Sequence, residues 1–198
     1  MLRAIQIQNN QIDQTFLENT HAGTHNIKGL VKGDELAQKA VYEALAPKML
    51  AACQNFISDK TVAEEAMNNG FVKVFFNIKK YKSEGSFEGW VRKIMVRESL
   101  SFLRKKKFRI ASQSEEILQK QKTYQKPMEE TSEIQRLIEQ LPMEFKLVFN
   151  LYAIEGYTHK EIAALLKIPE ATSKTRLFRA RTILKDQLQT TKQSNGRL

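Results

Sequence analysis

Residues 158–181, THKEIAALLKIPEATSKTRLFRAR, contain two helical patterns separated by a short turn, and this stretch decides the fold of the C-terminal part. Thr158 and Glu161 have the spacing of a capping box, in which each side chain satisfies a free backbone amide of the other residue. Residues 167–170 mark the turn, because Pro169 suits the first position of a helix, where no amide donor is needed. The pattern predicts a helix-turn-helix.

The second of these helices, expected over about residues 171–188, is cationic on one side. Leu177, Leu184 and Leu188 recur at helical spacing and predict its buried side. A positively charged exposed side suits insertion of the helix into the major groove of DNA, since basic residues neutralise phosphates and also reach base edges. A helical bundle with a basic surface, or a protein-binding module, is the alternative interpretation. The predicted outer side carries Lys174, Thr175, Arg176, Arg179, Arg181 and Lys185, with no acid before Asp186.

The whole chain shares this charge. Its 198 residues carry a net charge of +10, which indicates a polyanionic partner such as nucleic acid, an acidic protein or an anionic membrane surface. Only 8 Gly and 4 Pro interrupt the sequence, so long helices are favoured over a sheet-rich fold. We therefore predict an all-α protein of two small helical domains joined by a linker, with the helix-turn-helix in the C-terminal one.

The location of the protein is indicated by its cysteine and its hydropathy. Cys53 is the only cysteine, so no intrachain disulfide can form, which fits a reducing cytoplasm. A core position is favoured for Cys53 over a role as a reactive thiol. No signal peptide and no run of about 18 apolar residues is present, so no membrane insertion is expected.

The N-terminal domain is predicted over residues 29–110, after an extension over residues 1–28. Its first apolar stripe begins with Leu36, and Pro47 is expected at a junction between two helices. A later helix carries eight basic residues from Arg92 to Arg109 against one acid, Glu98. Because the other side of that helix is apolar, phosphate contact is favoured over a merely solvated face. A linker is predicted over residues 111–131, the second domain over 132–190 and a polar tail over 191–198.

Enzymatic chemistry finds no support in the sequence. There is no glycine-rich loop that would cradle phosphate, no cluster of metal-ligating residues and no nucleophile with a plausible base. We predict that the chain is not an enzyme and needs no cofactor or metal.

Three stretches, in this order and at this spacing, resemble the extracytoplasmic-function (ECF) sigma factors of bacteria, over roughly Leu30 to Leu188. Residues 63–75, AEEAMNNGFVKVF, resemble the helix that docks on the clamp of RNA polymerase. Residues 84–96, EGSFEGWVRKIMV, are similar to the loop and helix that read the minus-ten promoter element. Residues 171–181, ATSKTRLFRAR, resemble the recognition helix for the minus-thirty-five element.

The resemblance implies a site at each of these stretches. Docking on core polymerase is implied for Glu64, Glu65, Asn68, Asn69 and Lys73. Contact with the minus-ten element is implied for Ser86, Arg92, Lys93, Arg97, Arg104 and Lys105. At the minus-thirty-five element, base reading is implied for Lys174, Thr175, Phe178 and Arg179, and backbone contact for Thr172, Arg176 and Arg181.

For two aromatic residues, Trp90 and Phe178, the sequence allows both a structural role and a role in DNA binding. Trp90 is a candidate stacking platform for an unpaired base, but its helical spacing with Phe87, Val91 and Ile94 favours a core role. For Phe178, contact with a thymine methyl group and simple packing are equally favoured.

The resemblance implies a sigma factor that binds core RNA polymerase and directs promoter recognition and DNA melting. Core polymerase and promoter DNA are the implied partners, and an anti-sigma factor is a further candidate because such partners are common in the family. A stand-alone helix-turn-helix regulator is the main alternative. It would need a ligand pocket or a dimer face in the first domain in place of a polymerase-docking helix.

Overall fold

The computed structural model describes residues 21–112 and 133–195, with side chains over residues 27–105 and 133–189. The regular structure in these ranges is helical, so the predicted all-α class is confirmed. The described helices form two compact units. The first contains α1 (His21–Lys32), α2 (Glu35–Gln54), α3 (Lys60–Asn77), a 3-10 turn (Ile78–Lys80) and α4 (Phe87–Ser112). The second contains α5 (Glu133–Gln140), α6 (Met143–Phe149), a π-helical turn (Asn150–Ile154), α7 (His159–Leu166) and α8 (Glu170–Asn195).

The core of the first unit lies where α2, α3 and α4 pack against one another. Gly70 of α3 allows the closest approach, because a Cβ atom built there would overlap the sulfur of the fully buried Met95. Cys53 is buried in this core, as predicted. Burial of large apolar side chains stabilises such a unit by about 1.5–3 kcal/mol each. The most completely buried of them are Met49, Phe56, Phe71, Val74, Val91, Met95 and Val96.

The predicted helix junction at Pro47 is wrong, since α2 runs through the proline without a break. A proline inside a helix removes one hydrogen bond, to the carbonyl four residues before it. Glu43, which carries that carbonyl, and Pro47 are both exposed, so water can satisfy the freed group. Leu45 and Met49 on either side are buried in the same core, and their packing holds the two halves of the helix in line.

Two further expectations about the N-terminal region differ from the structure. Leu36 is 77% exposed, because the buried side of α2 begins at Ala37, one residue or about 100° farther round the helix. α1 starts at His21, inside the segment predicted as an extension, and its Leu30 is buried against the unit. The remainder of that extension, residues 1–20, lies outside the described residues.

Helix starts in both units follow their capping residues. The Asp34 carboxylate accepts hydrogen bonds from the amides of Leu36 and Ala37, and that of Asp59 accepts from Val62. The predicted capping box is confirmed: the Thr158 hydroxyl accepts from the Glu161 amide, and the Glu161 carboxylate accepts from the Thr158 amide at 2.8 Å.

The second unit is organised around α8, against which α5, α6 and α7 pack. Ile162 of α7 and Ala180 of α8 are fully buried in this unit. The predicted inward leucines Leu177 and Leu184 are buried, while Leu188 is half-buried. The helix continues to Asn195, beyond the predicted end at residue 188, because no glycine or proline interrupts residues 189–195.

Predictions about residues 113–132 and 196–198, which include most of the linker and the end of the tail, lie outside the described residues. The side chains of Lys106, Lys107 and Arg109 do so as well. Among the described helices, none has the length and apolar character needed to cross a membrane.

The turn between α7 and α8 depends on a left-handed residue. Lys167 has φ 55° and ψ 49°, a conformation that glycine adopts without the steric cost paid by a residue with a Cβ atom. We expect Lys167→Gly to raise the free energy of unfolding by about 0.5–1 kcal/mol, measured by urea denaturation. Ala164→Gly, in the exposed interior of α7, is the matched control and should lower it by about 1 kcal/mol. A loss of stability in both variants would contradict the assigned backbone conformation.

Candidate nucleic-acid interface

The outer side of α8 presents a cationic surface that no other described element of the second unit covers. Lys174, Thr175, Phe178, Arg179 and Arg181 are exposed there, whereas Thr172 is half-buried. Phe178 is 72% exposed, which excludes the packing alternative for this ring within the described unit. The implied base-reading residues therefore share one accessible face of the helix.

The two flanks of α8 are tied to the rest of the unit. On one flank, the guanidinium of Arg176 pairs with the carboxylate of Glu144 in α6 at 2.6 Å. On the other flank, the guanidinium of Arg181 lies 5.5 Å from the centre of the Tyr152 ring. Both contacts fix the side chains at the edges of the helix, where phosphates of a bound duplex would pass.

Two side chains of the exposed face are preorganised by contacts within α8. The Lys174 ammonium lies 2.8 Å from the Glu170 carboxylate, and this hydrogen bond lowers the pKa of the Glu170 carboxyl. The Thr175 hydroxyl donates to the carbonyl of Ala171 at 3.0 Å. Its oxygen can still accept a hydrogen bond from a base.

A cationic cleft opens in the first unit between α3 and α4, with a volume of about 450 Å³. Arg97 and Arg104, two of the implied minus-ten residues, line it from the same side of α4. The size falls within the range of ligand pockets, roughly 300–1,000 Å³. Four cationic side chains and one acidic one therefore face a space that can hold part of a nucleotide. The lining residues are Lys73, Asn77, Lys80, Trp90, Ile94, Arg97, Glu98, Ser101 and Arg104.

Glu98 is the one acid of the cationic stretch and is only 4% exposed. Its carboxylate forms an ion pair with the ammonium of Lys73 in α3. The sequence grouped Lys73 with the polymerase-docking residues, but the structure places its charged end in the cleft. The pair leaves Arg97 and Arg104 as the exposed charges of α4 at this site.

Trp90 stands at the cleft as part of an aromatic cluster. Its ring centre lies 5.5 Å from that of Tyr81 and 5.9 Å from that of Phe87. The indole is half-buried, so it both packs in the cluster and lines the cleft. The stacking role and the core role that the sequence left open for Trp90 are therefore compatible.

The other implied minus-ten residues are distributed around α4. Ser86 directly precedes the first residue of α4, and its hydroxyl oxygen accepts a hydrogen bond from the amide of Gly89 at 3.0 Å. Lys93 is exposed one turn before Arg97, whereas Arg92 is half-buried. Lys105 is exposed, with its ammonium 5.8 Å from the centre of the Phe102 ring. The structure thus brings Arg97 and Arg104 together at the cleft but not the whole set.

The outer face of α3 carries the remaining implied docking residues. Glu65 and Asn69 are exposed, and the side-chain oxygen of the exposed Asn68 accepts from the Tyr42 hydroxyl at 2.9 Å. Glu64 is half-buried, on an adjacent side of the helix, and lies 3.9 Å from the Lys60 ammonium.

The same face includes two apolar residues that the sequence analysis did not single out. Val72 is 52% exposed and Phe76 is 85% exposed. They follow Glu65 and Asn69 at intervals of three and four residues, so all four lie along one side of α3. The three-and-four spacing of these residues was a usable signal, but the same spacing of apolar residues also predicts a buried stripe.

Both halves of the chain match known families. Residues 41–109 match the family described as "Sigma-70 region 2", and residues 131–184 match "Sigma-70, region 4". The ECF RNA polymerase sigma factor SigW of Bacillus subtilis is 26% identical over 178 residues, which cover 82% of this chain and 94% of that protein. The ECF RNA polymerase sigma-E factor of Haemophilus influenzae is 22% identical over 179 residues, 82% of this chain and 93% of that one.

A solved structure shows the same fold at lower identity. The sigma factor RpoE of Bartonella quintana, in complex with the anti-sigma factor NepR, superposes with a TM-score of 0.54 at 17% identity. The match covers 76% of this chain and 96% of that one. The helical fold expected from the sequence therefore agrees with a known structure.

Proposed function

The chain belongs to the sigma-70 family, as one of its ECF members, and on that premise we propose how its two units divide the work of promoter recognition. The first unit, described over residues 21–112, docks on core RNA polymerase and holds the melted strand of the minus-ten element. The second, described over residues 133–195, binds the minus-thirty-five element as duplex DNA. Residues 113–132 connect them.

One observation carries this proposal: each unit presents a cationic surface suited to a different form of DNA. The outer side of α8 is a convex, exposed helix face with Lys174 and Arg179, which suits a major groove. The surface of the first unit is instead a cleft with Arg97, Arg104 and an indole, which suits an unstacked base and its phosphate.

Polymerase docking is assigned to the outer face of α3. Glu65, Asn68 and Asn69 supply its polar part, and Val72 and Phe76 extend it with exposed apolar area. Lys73 is reassigned to the cleft because its ammonium is paired with Glu98. An interface core that combines an exposed aromatic ring with a polar rim is typical of protein–protein contacts.

We propose that the polymerase, and not this chain, carries out the catalysis. The sigma-70 family is not known for enzymatic activity, and we propose that this chain makes and breaks no covalent bond. It acts in the cytoplasm, where its polymerase partner is found. An anti-sigma factor is proposed as a regulatory partner, since the sigma factor of Bartonella quintana with the same fold forms a complex of that kind.

The decisive experiment is transcription in vitro with the purified chain, core RNA polymerase and a promoter library. We expect start sites that appear only when the chain is added. A stand-alone regulator would instead change initiation by an already complete polymerase and would produce no start sites with core enzyme alone. The two matched families and the full-length relatives favour the sigma factor over that alternative.

The charge of the cleft gives a separate prediction. Glu98→Gln removes the one acid from a site with four cationic side chains while keeping the shape of the side chain. We expect the affinity for a labelled single-stranded 15-nucleotide DNA to rise by about three- to fivefold, since the site loses the negative charge of Glu98, which repels the phosphates. Fluorescence anisotropy at low salt measures it.

The matched control is Glu43→Gln on the exposed side of α2, where the carboxylate is 65% exposed and lies 3.9 Å from Lys39. That variant should bind the single strand nearly as the wild type does. An equal gain in both variants would show a general effect of net charge and would argue against the cleft.

A further inference from the structure

His159 connects three elements of the second unit. It is the first residue of α7, and its ring stacks on that of Tyr152 with centres 4.7 Å apart and an angle of 26° between planes. Its Nδ1 lies 2.9 Å from the hydroxyl oxygen of Ser173 in α8, and Ser173 is completely buried. One imidazole therefore fixes the start of α8 to both α7 and the π-helical turn.

Tyr152 also links this ring to the DNA-binding face. The guanidinium of Arg181 lies over the Tyr152 ring, 5.5 Å from its centre. Tyr152 belongs to the π-helical turn, and such turns insert an extra residue and thereby change the direction of the side chains that follow. Arg181, Tyr152 and His159 thus form a continuous contact from the flank of α8 to the imidazole.

Burial and two neighbouring positive charges oppose the protonation of His159. Burial is the largest cause that lowers the pKa of His159, and the positive charges of Lys174 and Arg181 lower it further. Glu170 raises the pKa in part, but its carboxylate is also paired with Lys174 and lies near Lys160. The free protein therefore holds His159 neutral at neutral pH.

We propose that His159 is a positioning residue for the recognition helix and that DNA binding is coupled to its protonation. The inference rests on the proposed function of the second unit. Phosphates held by Lys174 and Arg181 would offset the two positive charges that disfavour the imidazolium. The bound state then takes up a proton that the free state does not hold.

The direction of the pH dependence follows from this coupling. The pKa of His159 is higher in the complex than in the free protein, so binding strengthens as the pH falls through the interval between the two. The imidazolium retains the contact with Ser173, because Nδ1–H donates and the hydroxyl oxygen accepts. Protonation therefore adds an attractive charge near the phosphates without releasing α8.

The test uses the full chain and a labelled 30-base-pair duplex of random sequence at constant salt, followed by fluorescence anisotropy. We expect wild-type protein to bind about three- to tenfold more tightly at pH 5.5 than at pH 7.5, because the complex takes up a proton in this interval. The His21→Gln/His25→Gln variant, which removes the other two histidines, should keep that ratio.

Two variants of His159 separate positioning from protonation. His159→Ala loses the ring and the bond to Ser173, so its affinity at pH 7.5 should fall by about two- to fivefold. His159→Asn can still reach Ser173 and should recover most of that loss. The ratio of DNA affinity at pH 5.5 to that at pH 7.5 should be the same in the two variants and smaller than in the wild type. Circular dichroism at both pH values checks that each is folded.

The outcomes separate this inference from the function on which it rests. If wild-type protein fails to bind duplex DNA at either pH, the DNA-binding role of the second unit is wrong. If it binds, and His159→Asn keeps the wild-type pH ratio, the coupling to protonation is wrong. If His159→Ala binds as tightly as wild type at pH 7.5, the positioning role is wrong.

Discussion

Replacing Arg179 with alanine is expected to lower transcription from a cognate promoter by about five- to a hundredfold while leaving the affinity for core RNA polymerase unchanged. Arg179 is one of the implied base-reading residues on the exposed face of α8, and no contact of its guanidinium with another side chain is seen among the described residues. A base contact of such a side chain contributes about 1–3 kcal/mol. Its loss weakens promoter binding without disturbing the helix, since alanine is the best helix former.

The measurement is runoff transcription in vitro beside a binding titration with labelled core polymerase. Arg136→Ala is the matched control, because Arg136 is an exposed arginine of the same unit that lies on α5. It should change neither quantity. Equal losses of transcription and polymerase binding in Arg179→Ala would contradict the division of work between the units.

Replacing Phe76 with alanine is expected to weaken the association with core polymerase by roughly thirty- to eight-hundredfold. The ring is 85% exposed, so the free protein loses little packing when it is removed. An aromatic residue at the centre of an interface can contribute about 2–4 kcal/mol. Phe76 continues the side of α3 that holds Glu65 and Asn69, which places it within the proposed docking face.

The control for Phe76 is another exposed apolar residue of the same unit. Leu36 on α2 is 77% exposed, and Leu36→Ala should leave polymerase binding unchanged in the absence of an anti-sigma factor. Titration of fluorescent protein with core enzyme at moderate salt gives both affinities. Equal affinities for Phe76→Ala and wild type would remove the apolar part of the docking face from the proposal.

The helix-turn-helix could be predicted from local chemistry. Thr158, Glu161 and Pro169 act through neighbours a few residues away, so the capping box and the turn were readable in the sequence and are found in the structure. The cationic side of α8 was readable for the same reason, since the helical period alone brings Lys174 and Phe178 to one face. The family resemblance rested on these stretches and agrees with the matched families.

Long-range contacts decided what local patterns left open. Pro47 breaks an isolated helix, but packing on both sides of it keeps α2 continuous. Lys73 and Glu98 are 25 positions apart in the sequence and lie on different helices, and their ion pair places the ammonium of Lys73 at the cleft.

What the sequence determined by itself is the class of the protein: helical periods, caps and the sign of the charge depend on residues within one or two turns. Only the tertiary structure decided which polar groups are buried, where the cleft opens and how His159 reaches Tyr152 and Ser173. These depend on how separate helices pack, and packing is set by contacts between residues far apart in the chain, which no local pattern encodes.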